Sequence, residues 1–395
     1  MRPSLSFSCF LLIVALVQFI AFSSSSEQPS VLCHSDERLA LMQFKESFII
    51  DKHACSSTSS SYPKVDSWDS QGVDCCSWDG VECDQMTGVV IGLDLSSGCL
   101  YGSINSSQHS VFSGQIPSEI SKLYRLSSLD LSNNQEFNPF RRLLELKEPD
   151  LNNLIQNLTN LEKLHLSYVD MASPVTCQSS VSATILKRWR CGIQAFSGEL
   201  PASIENLDSM EFLGLGHCNF TGLVPSTLGN LTNLKFLDLA TNYFRGSVPP
   251  TLANLTKLDY LDLGSNYFTG FIPPELTNLT QLTHLDLQHN MLQGSVPSSL
   301  PRLEKLEFFD CDANRLGGIL EMDTFLELKN LQNLFLSKND FYLVSRNNSN
   351  ATGAQLVDIG LRYCHLTEFP YFLRNQHRLQ LLDLSSNNIK GQIPQ

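Results

Sequence analysis

LTNLKFLDLATNYFRGSVPPTLAN begins at Leu231, LTKLDYLDLGSNYFTGFIPPELTN at Leu255 and LTQLTHLDLQHNMLQGSVPSSLPR at Leu279. These ungapped 24-residue segments share one frame, LxxLxxLxLxxNxxxGxxPxxLxx, with every Leu, Asn, Gly and Pro position aligned. In Leu261-Asp262-Leu263 the period-2 alternation predicts a short strand whose leucines point inward. Stacked copies form a parallel sheet with strands about 4.8 Å apart. Asn242, Asn266, Asn290 and Asn314 follow at the turn, where an inward amide can satisfy backbone groups of adjacent coils. Gly246, Gly270 and Gly294 permit backbone conformations that a side chain resists, and the prolines after them discourage helix. Leu252, Leu276 and Leu300 close each coil from the other side. No coil can bury its own leucines, so the unit is stable only as a stack whose strands line a concave binding face.

Followed outward, the Asn column reads Gly98, Ser110, Asn134, Val169, Cys191, Cys218, Asn242, Asn266, Asn290, Asn314, Asn339, Cys364 and Asn387. The spacing is 24 from Cys218 to Asn314 and then 25, 25 and 23, but 12, 24, 35, 22 and 27 upstream. About 12–13 coils are therefore expected over 89–395, irregular over 99–217 and ending mid-coil at Gly391–Gln395. Between Gly98 and Ser110 only half a coil remains. The stretch Pro174–Arg190 keeps few leucines and reads as a degenerate coil looping off the stack, carrying Cys177 and the basic patch Lys187, Arg188, Arg190. Cys218 and Cys364, in the Asn column, are expected to stay buried and reduced as small apolar residues.

The chain opens with one Arg, an apolar run Phe10–Ile20 and small residues to Ser26, which reads as a secretory signal peptide over 1–25. A membrane anchor is the rival reading, but the run is shorter than the ~20 residues that cross a bilayer. The net charge of −13 argues against nucleic acid and anionic membranes as partners. Of 12 cysteines, all but Cys9 follow the signal, and disulfides are the default in an exported chain. Sequons at Asn105, Asn157, Asn219, Asn230, Asn254, Asn278, Asn347 and Asn350 fit the same route. Those at Asn230, Asn254 and Asn278 recur just before the strand and would set sugars in a row along one flank.

A cap over 26–88 would cover the first coil. The run DERLALMQFKESF, Asp36–Phe48, has helical apolar spacing at Leu39, Leu41, Met42, Phe44 and Phe48 with acids at its start. A Ser-rich loop, Ser56–Ser61, leads to SWDSQGVDCCSWDGVECD from Ser67. This helix behind Cys33, the Cys75-Cys76-Ser77-Trp78-Asp79-Gly80-Val81-Glu82-Cys83 signature and the LxxLxxLxLxxNxxxGxIP repeats resemble the plant-type leucine-rich-repeat (LRR) receptors. The resemblance is greatest to the disease-resistance receptor-like proteins of the Cf and Verticillium-resistance kind. Leu144–Leu164 also resembles an insertion typical of them. The resemblance implies an α/β LRR solenoid, a curved parallel β-sheet on its concave face, with a disulfide-bonded N-terminal cap. It implies Cys33–Cys75 and Cys76–Cys83 bridges, with Cys55–Cys99 a third candidate. Receptors of this kind continue through more repeats, a C-terminal cap, one membrane helix and a short tail, so this chain is expected to be C-terminally truncated. A membrane attachment would come only through that absent helix, giving a cell-surface receptor at full length or a secreted form as the sequence stands.

No Ser/His/Asp arrangement, phosphate loop or nucleotide fingerprint is present, so no enzyme, cofactor or metal is expected. His284 and His289 near Asp262 and Asp286 occupy solvent-facing repeat positions. The column Asp94, Asp130, Asp238, Asp262, Asp286, Asp310 and Asp383 reads as a solubilising ladder. Phe212, Phe236, Tyr260, His284 and Phe308, just before the first strand leucine, form a ridge of rings. With Asp238, Asp262, Asp286, Gln288, His289 and Asp312 they make up the expected ligand surface, aromatic side chains being strong contact residues. The alternative is that the rings only stiffen the sheet edge. The resemblance implies a defence receptor that binds a protein, peptide or cell-wall-derived ligand and signals through a partner receptor kinase. Two alternatives are a secreted inhibitor of microbial cell-wall hydrolases, resembling the polygalacturonase-inhibiting proteins, and a developmental peptide receptor.

Overall fold

The computed structural model describes residues 32–46, 48–50, 62–69, 74–103, 114–115, 120, 122–134, 144–145, 157–167, 169, 185–192, 197–344 and 353–391. The expected signal peptide, the Ser56–Ser61 loop, Cys55, Ser110, Cys177 and the sequons at Asn105, Asn347 and Asn350 lie outside these residues, as does most of the Leu144–Leu164 insertion. Among the described residues no helix is long and apolar enough to cross a membrane.

The repeats build a 13-stranded sheet in which strands follow chain order. Its first strand, Val81–Cys83, runs antiparallel to Val90–Asp94 and belongs to the cap; the rest pair in parallel. Register is strict, Leu213 facing Leu237, then Leu261, Leu285 and Phe309. These central residues are buried and the residues on either side face outward. Burial of each leucine contributes about 1.5–3 kcal/mol.

Inside the turn, Asn266 donates through Nδ2 to the carbonyls of Leu239 (2.9 Å), Leu263 (3.2 Å) and Gly264 (3.1 Å), and its Oδ1 accepts from Phe244 N, one coil back, at 3.1 Å. Asn242, Asn290, Asn314 and Asn339 repeat the scheme, each reaching one coil back for a carbonyl.

Three features of the first half differ from expectation. Val90–Asp94 pairs directly with Ser128–Asp130, so the half coil near Ser110 adds no strand to this sheet. Arg188–Arg190 lies between Lys163–His165 and Phe212–Gly214 as a full member of the sheet, so the end of the Pro174–Arg190 stretch does not loop off. Because Arg190 faces Gly214, Cys191 occupies the column of Leu215, not the Asn column. The Asn position of that coil falls on Gln194, and the spacings of 22 and 27 become 25 and 24.

After the turn the chain enters a second, seven-stranded sheet that the sequence reading did not anticipate. Its strands include Tyr243–Ser247 and Tyr267–Gly270, with Phe220, Phe244 and Phe268 stacked inward at 5.8 and 6.3 Å between centroids. Gly246, Gly270 and Gly294 each sit at φ +79°, the left-handed region where a Cβ is strained. The prolines that follow do not merely exclude helix: Pro249 and Pro273 cap 3-10 turns over Pro250–Asn254 and Pro274–Asn278. Leu252 and Leu276 anchor those turns in the core.

In the cap, helix Ser35–Glu46 buries Ala40, Leu41 and Phe44. Leu39 is exposed and Phe48 starts a short strand, so the expected helix is both shorter and differently faced. Trp68 stacks on Trp78 with centroids 5.5 Å apart and donates to the Asp79 carbonyl. Disulfides join Cys33 to Cys75 and Cys76 to Cys83. Cys99 is disulfide-bonded as well.

Replacing Asn266 by Ala leaves buried carbonyls and one amide without partners and should cost about 2–4 kcal/mol, since each unsatisfied group costs about 1–3 kcal/mol. Chemical denaturation should show this loss, with Asn254→Ala, on the exposed flank, within about 0.5 kcal/mol of the parent.

Candidate ligand-binding face

Three columns of side chains face outward from the concave sheet. The first holds the expected ridge. Phe212, Phe236, Tyr260, His284 and Phe308 are all half-buried and stack in sequence with centroids 4.0, 4.3, 4.2 and 4.1 Å apart and planes within 12° of parallel. The faces of these rings are therefore spent on one another. Arg188 covers the outer face of Phe212, its guanidinium carbon 5.2 Å from the centroid, and Phe335 tilts against Phe308. What the ridge presents outward is therefore ring edges, together with the Tyr260 hydroxyl.

The second column carries the aspartates, and its role is not only solubility. Asp94, Asp130, Asp238, Asp262, Asp286, Asp310 and Asp383 each accept the backbone N–H two residues on, at 2.8–2.9 Å, holding the chain as it leaves the strand. The preference of Asp for such local bonds was the signal that the sequence carried. Asp286 and Asp310 are only 5% and 7% exposed, so the solvent-facing assignment fails for them. The ring stack on one side and neighbouring strands above and below enclose them.

That enclosure sets the electrostatics. Burial first, then the neighbouring carboxylates, pushes Asp262 up to about 7 and Asp310 to about 8. Asp312, in the third column, is raised by burial to about 6 and accepts from Ser337 N. Asp238 and Asp286 are also raised, chiefly by burial. Burial lowers His284 to about 4, so its imidazole is neutral between its ring neighbours. Gln288 donates both its backbone and side-chain N–H groups to Asp286. Asp262, His284 and Asp286 present ligand atoms within 4.8 Å of one another, a donor set suited to a divalent cation, although both Asp286 oxygens already accept from Gln288. His289 is not in that group. It stands past the strand at φ +52° and lines a separate hollow of about 510 Å³ with His217, Tyr243 and Tyr267.

Sequence reasoning missed the other half of the face. Lys163, Arg188, Arg190 and His165 surround a hollow of about 360 Å³, with Asp130 and Phe212. His165 is fixed between Asp130 (2.9 Å) and the Ser167 hydroxyl (2.9 Å). Lys163, Arg188 and Arg190 are exposed, and none forms an ion pair among the described residues. The basic patch was visible in sequence but assigned to a loop, because Trp189 and Cys191 stand where leucines were expected.

The sequons at Asn230, Asn254 and Asn278 end three successive 3-10 turns and are exposed, away from these columns. Asn157 is exposed, and Asn219 is half-buried at the start of a strand.

This fold, cap and face define an extracellular solenoid of leucine-rich repeats. Family models match it as a leucine-rich repeat region over residues 190–350, a leucine rich repeat N-terminal domain over 34–84 and a further leucine-rich repeat over 378–395. Receptor-like protein 9DC1 of Solanum pimpinellifolium is 32% identical over 254 residues, 53% of this chain and 28% of that protein. Receptor-like protein 6 of Arabidopsis thaliana is 30% identical over 231 residues, 47% of this chain and 23% of that protein. The chain belongs to the plant LRR receptor-like proteins, and it spans less than a third of the length of these relatives. Among solved structures, the ectodomain of the Arabidopsis receptor kinase HAESA with an extended IDA peptide hormone superposes with a TM-score of 0.62 at 27% identity, covering 89% of this chain and 61% of that one. HAESA with IDA and the co-receptor SERK1 also gives 0.62, at 25% identity, over 90% of this chain and 62% of that one.

The raised carboxyls bind protons more tightly in the folded chain than in the unfolded one. Folding is therefore opposed above about pH 8, where all are charged, and stability increases as pH falls through the folded values of about 8 for Asp310 and about 7 for Asp262. His284 works in the opposite direction below its unfolded value of 6.5. The unfolding midpoint should therefore rise between pH 8 and 6.5, and Asp262→Asn with Asp310→Asn should raise it at pH 8 and flatten the slope. A parent midpoint that falls over this range in thermal melts would contradict the assignment.

Proposed function

We propose that this chain is the ligand-recognition region of a plant cell-surface receptor-like protein acting in defence, and that it signals through a partner receptor kinase. The observation that carries the reading is the polarity of the concave face: a basic hollow at Lys163, Arg188 and Arg190, then an acidic run from Asp238 to Asp312. The reading is one of binding without catalysis.

Arg190 and Asp310 lie five strand spacings apart, about 24 Å along the sheet. An extended chain covers that distance in about seven residues. A peptide or extended protein segment lying across the strands, with its acidic end at the arginines and a basic group at the aspartates, matches both the length and the charge. A neutral cell-wall oligosaccharide could hydrogen-bond these side chains but would balance the charge of neither end. The complexes of HAESA with IDA and SERK1 support the same reading by analogy, since a peptide and a co-receptor are bound there on a similar solenoid.

Binding should be tested by titrating the purified chain with fractionated extracellular peptides and repeating the titration with Arg188→Glu/Arg190→Glu. The expected result is a loss of at least tenfold in affinity with stability lowered by no more than about 0.5–1 kcal/mol, the worth of the Arg188–Phe212 contact, and unchanged affinity would sink the reading. Phe236→Ala, Tyr260→Ala and Phe308→Ala should act differently. With ring faces already engaged, each broken stack should cost about 0.5–1.5 kcal/mol of stability, and affinity should fall by less than the charge reversal produces.

A further inference from the structure

Cys191 and Cys218 are both buried, at 2% exposure, and their sulfurs lie 3.0 Å apart. Carbon atoms in contact settle about 3.5–4.0 Å apart, and sulfur is larger than carbon, so two unbonded sulfurs do not rest comfortably at this separation. The repeat explains how they meet. In the next coils, the Asn side chain reaches the residue 27 positions back: Asn242 bonds the Leu215 carbonyl, Asn266 that of Leu239, Asn290 that of Leu263 and Asn314 that of Leu287. Cys218 stands in the Asn column, and the residue 27 positions before it is Cys191.

We propose that Cys191 and Cys218 form a disulfide that joins the coil of Arg188–Arg190 to the coil of Phe212–Gly214. The chain already carries disulfides in its cap, so it matures where thiols are oxidised. The two thiols lose their protons and two electrons as the S–S bond forms, and the disulfide of an exchange partner, a thiol–disulfide oxidoreductase, takes up both electrons and becomes a dithiol. Burial raises the Cys191 thiol well above its ordinary value and closes the pair to any oxidant in the folded chain. The bond therefore forms before the coils close.

The position gives the bond a purpose. Val169 and Cys218 replace the Asn of their coils, so the amide-to-carbonyl ties that hold successive coils elsewhere are missing here. The covalent tie takes their place beside the basic hollow, where Arg188 and Arg190 must keep their register with Phe212.

The test is to export the full chain from a eukaryotic secretory host, denature it without reductant, alkylate free thiols and digest it. Cys191 and Cys218 fall in one tryptic peptide, 191–235, and Glu199, Glu205 and Glu211 allow a second cut between them after enzymatic removal of glycan. The proposal expects a peptide two hydrogens lighter than its dithiol form, unalkylated until reduced and still held together after the second cut. Cys311 and Cys364, buried as thiols elsewhere in the stack, should be alkylated in the same sample. Alkylation of both Cys191 and Cys218, or recovery of either joined to another cysteine such as Cys177, would overturn it.

Discussion

A coil that makes few backbone hydrogen bonds within itself must find partners for its buried carbonyls, and the inward asparagine is how this chain finds them. Each amide ties three carbonyls and one N–H across two coils, as at Asn242 and Asn266. The leucines supply the driving force, but they are indifferent to register. The asparagine is not, and it fixes where each strand begins and therefore which side chains come into line on the concave face. Over the regular coils, the ring stack and the aspartate column inherit their alignment from it.

The aspartates show how scaffold and surface share residues. Every one of them holds a backbone amide, so the column would be retained for folding alone. Yet the same repetition lines up Asp238, Asp262, Asp286 and Asp310 on successive strands with little to neutralise them. The folded state tolerates this by holding protons on some of them, as the upward displacement of Asp262 and Asp310 indicates. A cationic ligand group would relieve the same repulsion, so a strained part of the scaffold becomes an attractive surface for binding.

The regular half of the fold was legible because three ungapped copies make the Leu, Asn, Gly and Pro columns unambiguous. The two cap disulfides were legible through resemblance. The first half is less legible where a column changes residue type: Trp189 and Cys191 replace leucines, and the Asn position of that coil carries no Asn. The second sheet was missed because Tyr-Phe-x-Gly shows too short an alternation to declare a strand without its neighbours. The ridge of rings was found correctly as a column, but which way the rings turn is decided by packing between coils, and the sequence of a single coil does not contain that information.

Ring spacing also measures shape. On the concave side, consecutive rings stand 4.0–4.3 Å apart, whereas the phenylalanines inside the flank stand 5.8–6.3 Å apart over the same repeats. The same coils are thus closer together on the inner arc than on the outer one, which is curvature. Tighter bending would press rings already in contact into each other, and straightening would pull them apart. The stack therefore opposes a change of curvature in both directions, which favours a concave face of preset radius.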